Sequence, residues 1–302
     1  MNSLDNLQID QSQFDLSDKL PAKILLAGCG DLGIRTAARL DAGYFCYGLR
    51  RESGRLPNYI RPLKADLTNF DQMKDVMEIG FQIIIVTITP DAYNECAYRS
   101  AYLASAETLV RVINESRKPP SLVVWTSSTS VYGQKSGEWV DELSPVNPQN
   151  YNGRILLEAE NMIKKLQCSK VVLRFSGIYG PGRQNLLDQV LAGEESKRSL
   201  SQWTNRIHSD DCAGIFCHLM DLHLRGQTLH DLYLATDCEP VKRYALRQWL
   251  SSKLNVKLND AATSTESGRR YRNERLLGSE FNFLFPSYKQ GYCEIIHSFK
   301  QP

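Results

Sequence analysis

Apolar residues in this chain fall into short runs separated by longer segments with helical spacing. The runs cover 22–27 (AKILLA), 44–49, 82–89 (QIIIVTIT), 122–126 (LVVWT) and 171–175 (VVLRF). Each is β-branched or aromatic and lacks clean alternation, as expected of strands covered on both faces of a parallel sheet. Between them, 32–42, 71–79, 92–116 and 153–166 carry apolar residues at helical intervals. In the long segment, Ala97, Ala101, Ala104 and Ala106 permit close helix packing. Strands alternating with helices imply right-handed βαβ units, so the pattern predicts an α/β fold with a doubly wound, Rossmann-type parallel sheet. Past residue 175 the rhythm changes. Glycine, proline and charge thicken in GIYGPGRQN and AGEESKRSLSQWTNR, and a helix over 244–254 leads into a Ser/Thr/Arg-rich stretch at 262–270. The predicted organisation is a polar N-terminal extension over 1–21, a doubly wound Rossmann-type domain over 22–175, and a smaller lobe over 176–302 with segments returning to the sheet.

Composition narrows the function classes. Across 302 residues, 36 Lys and Arg balance 34 Asp and Glu to a net charge of +2. Nucleic-acid and anionic-membrane binders need a concentrated basic surface, so neither partner is expected. The eight cysteines are scattered without a Cys-x-x-Cys pair, which predicts reduced thiols and no metal site. The first twenty residues lack the basic and apolar regions of a targeting peptide, and no apolar run approaches membrane-spanning length. A cytoplasmic location is the expectation.

The first run leads directly into Gly28-x-Gly30-x-x-Gly33, ahead of a helical segment. Glycines at this spacing allow a tight turn, close approach of backbone to a pyrophosphate, and close helix–strand contact. Gly28, Gly30, Asp31, Leu32 and Gly33 are therefore candidate dinucleotide contacts. The second strand ends in Arg50-Arg51, where NAD-specific proteins carry an acid for the adenosine ribose. Two guanidinium groups suit a 2′-phosphate, which favours NADP, with NAD as the alternative and solvated arginines as the bland one. Asp66 and Leu67 are placed to meet the adenine. Thr87 and Thr89 stand at the end of the third run, where a hydroxyl meets phosphates or ribose, or only caps the helix beyond.

Four further segments follow in order: Thr126-Ser127-Ser128-Thr129-Ser130-Val131-Tyr132-Gly133, Asp141-Glu142-x-x-Pro145, Arg174-Phe175-x-Gly177-Ile178-Tyr179-Gly180-Pro181-Gly182, and Arg206-Ile207-His208-x-Asp210-Asp211. With the glycine loop, these resemble the extended short-chain dehydrogenase/reductases, the NAD-dependent epimerase/dehydratase group, from about residue 22 onward. The shortened loop, with Ala27 at the family's usual first glycine, resembles an atypical branch.

That resemblance implies a Ser/Thr, Tyr and Lys site, the last two as Tyr-x-x-x-Lys on one helix. Here the family's Tyr-Gly-Arg-x-Lys-Leu-Glu-Ala-Glu reads Asn152-Gly153-Arg154-Ile155-Leu156-Leu157-Glu158-Ala159-Glu160, which puts Asn152 at the Tyr position and Leu156 at the Lys position. Tyr151 is the nearest substitute, but one residue of helix is a rotation of about 100°. Ser128, Tyr132 and Tyr151 are the remaining catalytic candidates, with Ser127 beside the cofactor. His208 reads as structural more readily than as a base. Arg183, Arg206, Arg270 and Arg272 meet a substrate phosphate or carboxylate, or are solvated. The resemblance also implies a homodimer paired through the helices at 92–116 and 153–166, and a small-molecule substrate of nucleotide-sugar type. Two functions stand: an NADP-linked oxidoreductase or epimerase with an atypical acid–base site, or a weakly active NADP(H)-binding sensor.

Overall fold

A computed structural model of the protein describes residues 21–40, 43–52, 54–196, 199–260 and 266–300. The expected polar extension lies outside them except for Pro21, as does 262–265 of the Ser/Thr/Arg-rich stretch.

The first half alternates strand and helix: β1 (Ala22–Ala27), α1 (Asp31–Ala37), β2 (Tyr44–Arg50), β3 (Ile60–Lys64), α2 (Phe70–Met77) and β4 (Ile83–Val86). The long helical segment comes next in three pieces. These are α3 (Glu95–Tyr98), a π-helical turn (Arg99–Ala104) and α4 (Ser105–Glu115). Then come β5 (Leu122–Ser128), β6 (Ser136–Val140), α5 (Tyr151–Ile163) and β7 (Ser169–Phe175). The remainder holds β8 (Gly177–Tyr179), α6 (Asn185–Leu191), β9 (Gln202–Thr204), β10 (Arg206–His208), α7 (Ser209–Leu224) and β11 (Leu232–Ala235). It closes with β12 (Val241–Lys242), α8 (Arg243–Leu254), β13 (Ser267–Tyr271), α9 (Glu274–Gly278) and α10 (Tyr288–Lys300).

Seven strands form one sheet in the order β11-β7-β5-β4-β1-β2-β3, all parallel. Its seventh strand, β11, comes from far beyond residue 175 and closes the edge beside β7. The uninterrupted apolar runs are explained by cover on both sides. Ile24, Leu26, Ile83, Ile85, Leu122 and Val124 face α1 and α7. Their neighbours Leu25, Ala27, Ile84, Val86, Val123 and Trp125 face α2, α4 and α5. Strand order reverses between β1 and β4, and a crevice opens there beyond the strands' carboxyl ends, the usual ligand position in such sheets.

The second lobe holds a four-stranded sheet (β12-β9-β13-β6) and the parallel pair β10–β8. Its core joins Tyr179, Leu246, Leu250, Tyr292 and Ile295 from β8, α8 and α10. His208, at the start of α7, is fully buried, and its Nδ1 accepts the Asp210 backbone N–H at 3.2 Å. Its ring lies 4.1 Å from that of Phe285 and 5.2 Å from that of Tyr179. This is a packed structural histidine. Burial lowers its pKa from 6.5 to about 4, against the partial support of Asp210.

Between α5 and β7 lies a buried ion pair. Arg174 donates from Nε to Glu160 Oε1 at 3.0 Å and from Nη2 to Oε2 at 2.6 Å. The two side chains are 4% and 1% exposed. Breaking such a pair strands a charge, so Glu160→Ala should lower stability by about 3–5 kcal/mol, read as a fall in urea midpoint. Replacing both partners, as Glu160→Leu with Arg174→Met, should recover much of that loss. The buried His208 stays neutral while the unfolded chain binds its proton. Its contribution is thus complete above about pH 6.5 and lost as pH falls towards 4, to a limit of about 3 kcal/mol. Urea melts between pH 7 and 4.5 should show a shallower pH dependence for His208→Gln than for the wild type.

Candidate active site

The crevice is built on the turn after β1. Gly28 has φ +74°, and a Cβ there would lie 2.8 Å from Ile88 Cγ2, so the turn requires glycine. The Gly28 and Cys29 N–H groups donate to Leu49 O at 3.1 Å, which ties the turn to the end of β2. Thr87 ties it to β4, its N–H donating to Ala27 O at 2.8 Å and its hydroxyl to Gly28 O at 3.0 Å. Gly33 allows helix–strand contact, since a Cβ there would stand 3.2 Å from Cys29 Sγ. Gly30 differs: a Cβ there would meet only Gly28 O at 3.8 Å, in open space on the crevice wall. No side chain caps the start of α1, so its first N–H groups remain available.

The resulting cleft is about 1290 Å³. Of the residues singled out in the sequence, Gly28, Gly30, Asp31, Leu32, Arg50, Arg51, Asp66, Leu67, Thr87, Thr89, Ser127 and Ser128 line it, with Gly33 packed behind the loop. At the β2 end, Arg50 Nε donates to Cys29 O at 2.5 Å, which fixes its guanidinium at the mouth. Arg51 reaches across to Asp91, donating from Nη1 to Oδ2 at 2.7 Å and from Nη2 to Oδ1. That pairing draws the exposed Asp91 carboxyl below its ordinary pKa. Asp66 turns its carboxylate onto the Thr68 N–H and hydroxyl at 2.9 and 2.8 Å.

At the β5 end, Ser127 Oγ donates to Glu160 Oε1 at 2.6 Å, so the cleft floor is tied to the buried ion pair. Ser128 Oγ accepts the Ser130 N–H at 3.2 Å and shapes the turn after β5. Tyr132 lies outside the cleft: it is 1% exposed, accepting from Arg174 Nη1 at 2.8 Å and donating to Asp141 O at 2.9 Å. Burial pushes its phenol up to about 12. Tyr151 is also outside, at the start of α5, its ring edge-on to Tyr98 at 5.6 Å. Asn152, at the usual Tyr position, accepts the Gly153 N–H at 2.9 Å and shares a hydrogen bond with Tyr98. Leu156 is 3% exposed and sealed among Val131, Tyr132, Val140, Leu234 and Tyr271, so no cation stands at the lysine position. Asp91, Ser100, Tyr102 and Ser176 line the cleft without having been singled out: the first three come from a loop and a helix with no motif of their own, and Ser176 is the variable position of the Arg174–Gly182 motif.

A second cavity of about 540 Å³ adjoins the first, with Ile178 and Arg183 lining both. Arg183, Arg206 and Arg269 reach its wall beside Thr204, Asn205 and Trp203. Arg206 is nearly buried and donates to Thr204 Oγ1 at 2.7 Å. Arg183 Nε donates to Asp31 Oδ2 at 3.1 Å, linking the second lobe to the glycine turn. Arg270 and Arg272 do not line it. Arg270 donates to Gly137 O and stacks between Trp139 and Trp203, and Arg272 lies over Trp139. The arrangement presents a nucleotide cradle, a hydroxyl-bearing floor and a cationic annex, without a Tyr–Lys pair. Among the described residues, no group of three His, Cys, Asp or Glu side chains is placed to hold a metal, and no helix is long and apolar enough to cross a membrane.

Comparison with known proteins places this geometry. The model of the RmlD substrate binding domain matches residues 22–272. Protein YeeZ of Escherichia coli K12 is 29% identical over 283 residues, covering 87% of this chain and 97% of its own. A structure from Methylobacillus flagellatus, provisionally described as an NAD-dependent epimerase/dehydratase, is 32% identical with a TM-score of 0.82, covering 93% of this chain and all of its own. Human epimerase family protein SDR39U1, solved with NADPH, shares the fold at 17% identity and a TM-score of 0.74, covering 91% of this chain and 99% of its own. The chain thus belongs to the RmlD substrate-binding-domain family, as an atypical member of the NAD-dependent epimerase/dehydratase group of short-chain dehydrogenase/reductases.

Proposed function

We propose that the protein binds NADP(H) in the larger cleft and acts as an oxidoreductase or epimerase on a small anionic hydroxyl or carbonyl compound, with a nucleotide sugar as one such substrate. The observation that carries this reading is the glycine cradle at the sheet's switch point with Arg50 and Arg51 at its adenosine end. The turn's backbone and the uncapped start of α1 suit a pyrophosphate. Arg50, already fixed on Cys29 O, suits the 2′-phosphate with Arg51 beside it. A bound nicotinamide cofactor supplies a hydride donor or acceptor at the β5 end of the cleft. Ser128 donates a hydrogen bond to the substrate oxygen there. Arg183, Arg206 and Arg269 hold the substrate's phosphate or carboxylate in the adjoining cavity. The description of SDR39U1 with NADPH, and of other family structures with UDP-sugars, supports these choices of cofactor and substrate class.

A second reading, an NADP(H) sensor with little turnover, is favoured by Leu156, whose burial leaves no cation to lower a phenol's pKa. Loss of a positioned acid–base group costs on the order of 10²–10⁴ in rate. Hydride exchange from NADPH to nucleotide sugars, aldehydes and ketones separates the two readings, because the sensor shows none. The cofactor assignment is checked by fluorescence titration. NADPH should bind at least about tenfold tighter than NADH, and Arg50→Ala with Arg51→Ala should remove that preference. Asp91→Asn should tighten NADPH by a few-fold without changing NADH, because it frees Arg51 from its exposed ion pair.

A further inference from the structure

The missing Tyr–Lys pair leaves the nicotinamide end of the cleft without its usual hydroxyl. The helix facing α5 supplies one from a different direction. Over 99–104 that helix is π-helical. A π turn spends an extra residue, so the side chains beyond it are turned relative to the α-helical register. Tyr102 sits in this turn and lines the cleft, while small residues around it, Ala97, Ser100, Ala101 and Ser105, leave the wall open. Its ring packs against both the helix-covered face of the sheet and the cluster containing Leu156. Tyr102 therefore lines the cleft and also packs against the cluster holding the side chain that stands where the lysine would be.

The hydroxyls of the other local tyrosines are spent or turned away. That of Tyr132 is buried between Arg174 and Asp141 O. That of Tyr98 bonds Asn152, and Tyr151 packs on Tyr98 outside the cleft. Among the described residues the Tyr102 hydroxyl makes no hydrogen bond, and the half-buried residue forms part of the cleft wall.

We propose that Tyr102 replaces the absent pair as a cofactor-binding residue, donating its phenolic hydrogen bond to the nicotinamide ribose. The proposal rests on the cofactor reading above. Burial raises the Tyr102 pKa, which keeps the phenol a neutral donor. Tyr102 thus anchors the ribose without supplying a charge.

The test compares NADP⁺ with adenosine 2′-phosphate 5′-diphosphate, which lacks the nicotinamide riboside. For Tyr102→Phe, which keeps the ring, NADP⁺ should bind about three- to tenfold more weakly and the fragment unchanged. Tyr151→Phe should alter neither. Unchanged NADP⁺ affinity in Tyr102→Phe, or an equal loss for both ligands, overturns the proposal. A second readout needs no loss of the hydroxyl: 3-fluorotyrosine placed at position 102 should show a fluorine resonance that moves with NADP⁺ and not with the fragment. A resonance that stays fixed with both, or moves equally with both, contradicts it. A wild-type chain that binds neither ligand defeats the cofactor reading instead, so the two failures are distinct.

Discussion

The Glu160 carboxylate holds together the parts on which the site depends. From α5 it accepts two hydrogen bonds from Arg174 on β7 and one from Ser127 on β5. Arg174 in turn fixes the Tyr132 hydroxyl. A buried carboxylate is costly unless its oxygens are engaged, and this one is engaged at both. It therefore sets the height of α5 against the sheet and the position of the strand end that forms the cleft floor. The residues four and eight positions earlier on the same helix, Leu156 and Asn152, are the ones that depart from the family pattern. The scaffold that would have aimed a Tyr–Lys pair is intact, and what it aims has changed.

That substitution has a physical consequence beyond a lost proton donor. A lysine at position 156 would need its charge solvated or paired, and Leu156 instead closes an apolar cluster with Val131, Val140 and Tyr271. The cleft beside it is left with hydroxyls and no nearby cation from α5. Cationic character moves to the ends, with Arg50 and Arg51 at the adenosine mouth and Arg183, Arg206 and Arg269 in the annex. Arg183 lines both cavities while bonded to Asp31 at the glycine turn.

Much of this was legible in the residues. The uninterrupted runs of β1, β4 and β5 announced strands covered on both faces, and the glycine spacing marked the cradle. Alignment with the family motif exposed Asn152 and Leu156 without any coordinates. Other features were not legible because they depend on tertiary placement. Tyr132 sits in a motif that suggested a pocket residue, yet Arg174 and Asp141 draw its hydroxyl into the core. Asp91 faces Arg51 across 40 positions of sequence. The π turn at 99–104 is hidden in an ordinary helical run, and Tyr102 lines the cleft from within it. Local pattern reports which face of an element is apolar, and these outcomes were decided by what the opposite element offered.

Every assignment in the larger cleft depends on the glycine cradle being a dinucleotide site. Gly30 tests it most directly, since a methyl group there has room in the folded chain and would stand in the cleft. Calorimetric titration of NADPH into the wild type and Gly30→Ala, with melting curves for both, is the decisive measurement. Gly30→Ala should melt within a few degrees of the wild type and bind NADPH at least about tenfold more weakly. A Gly30→Ala chain that binds NADPH as tightly as the wild type would contradict the dinucleotide assignment.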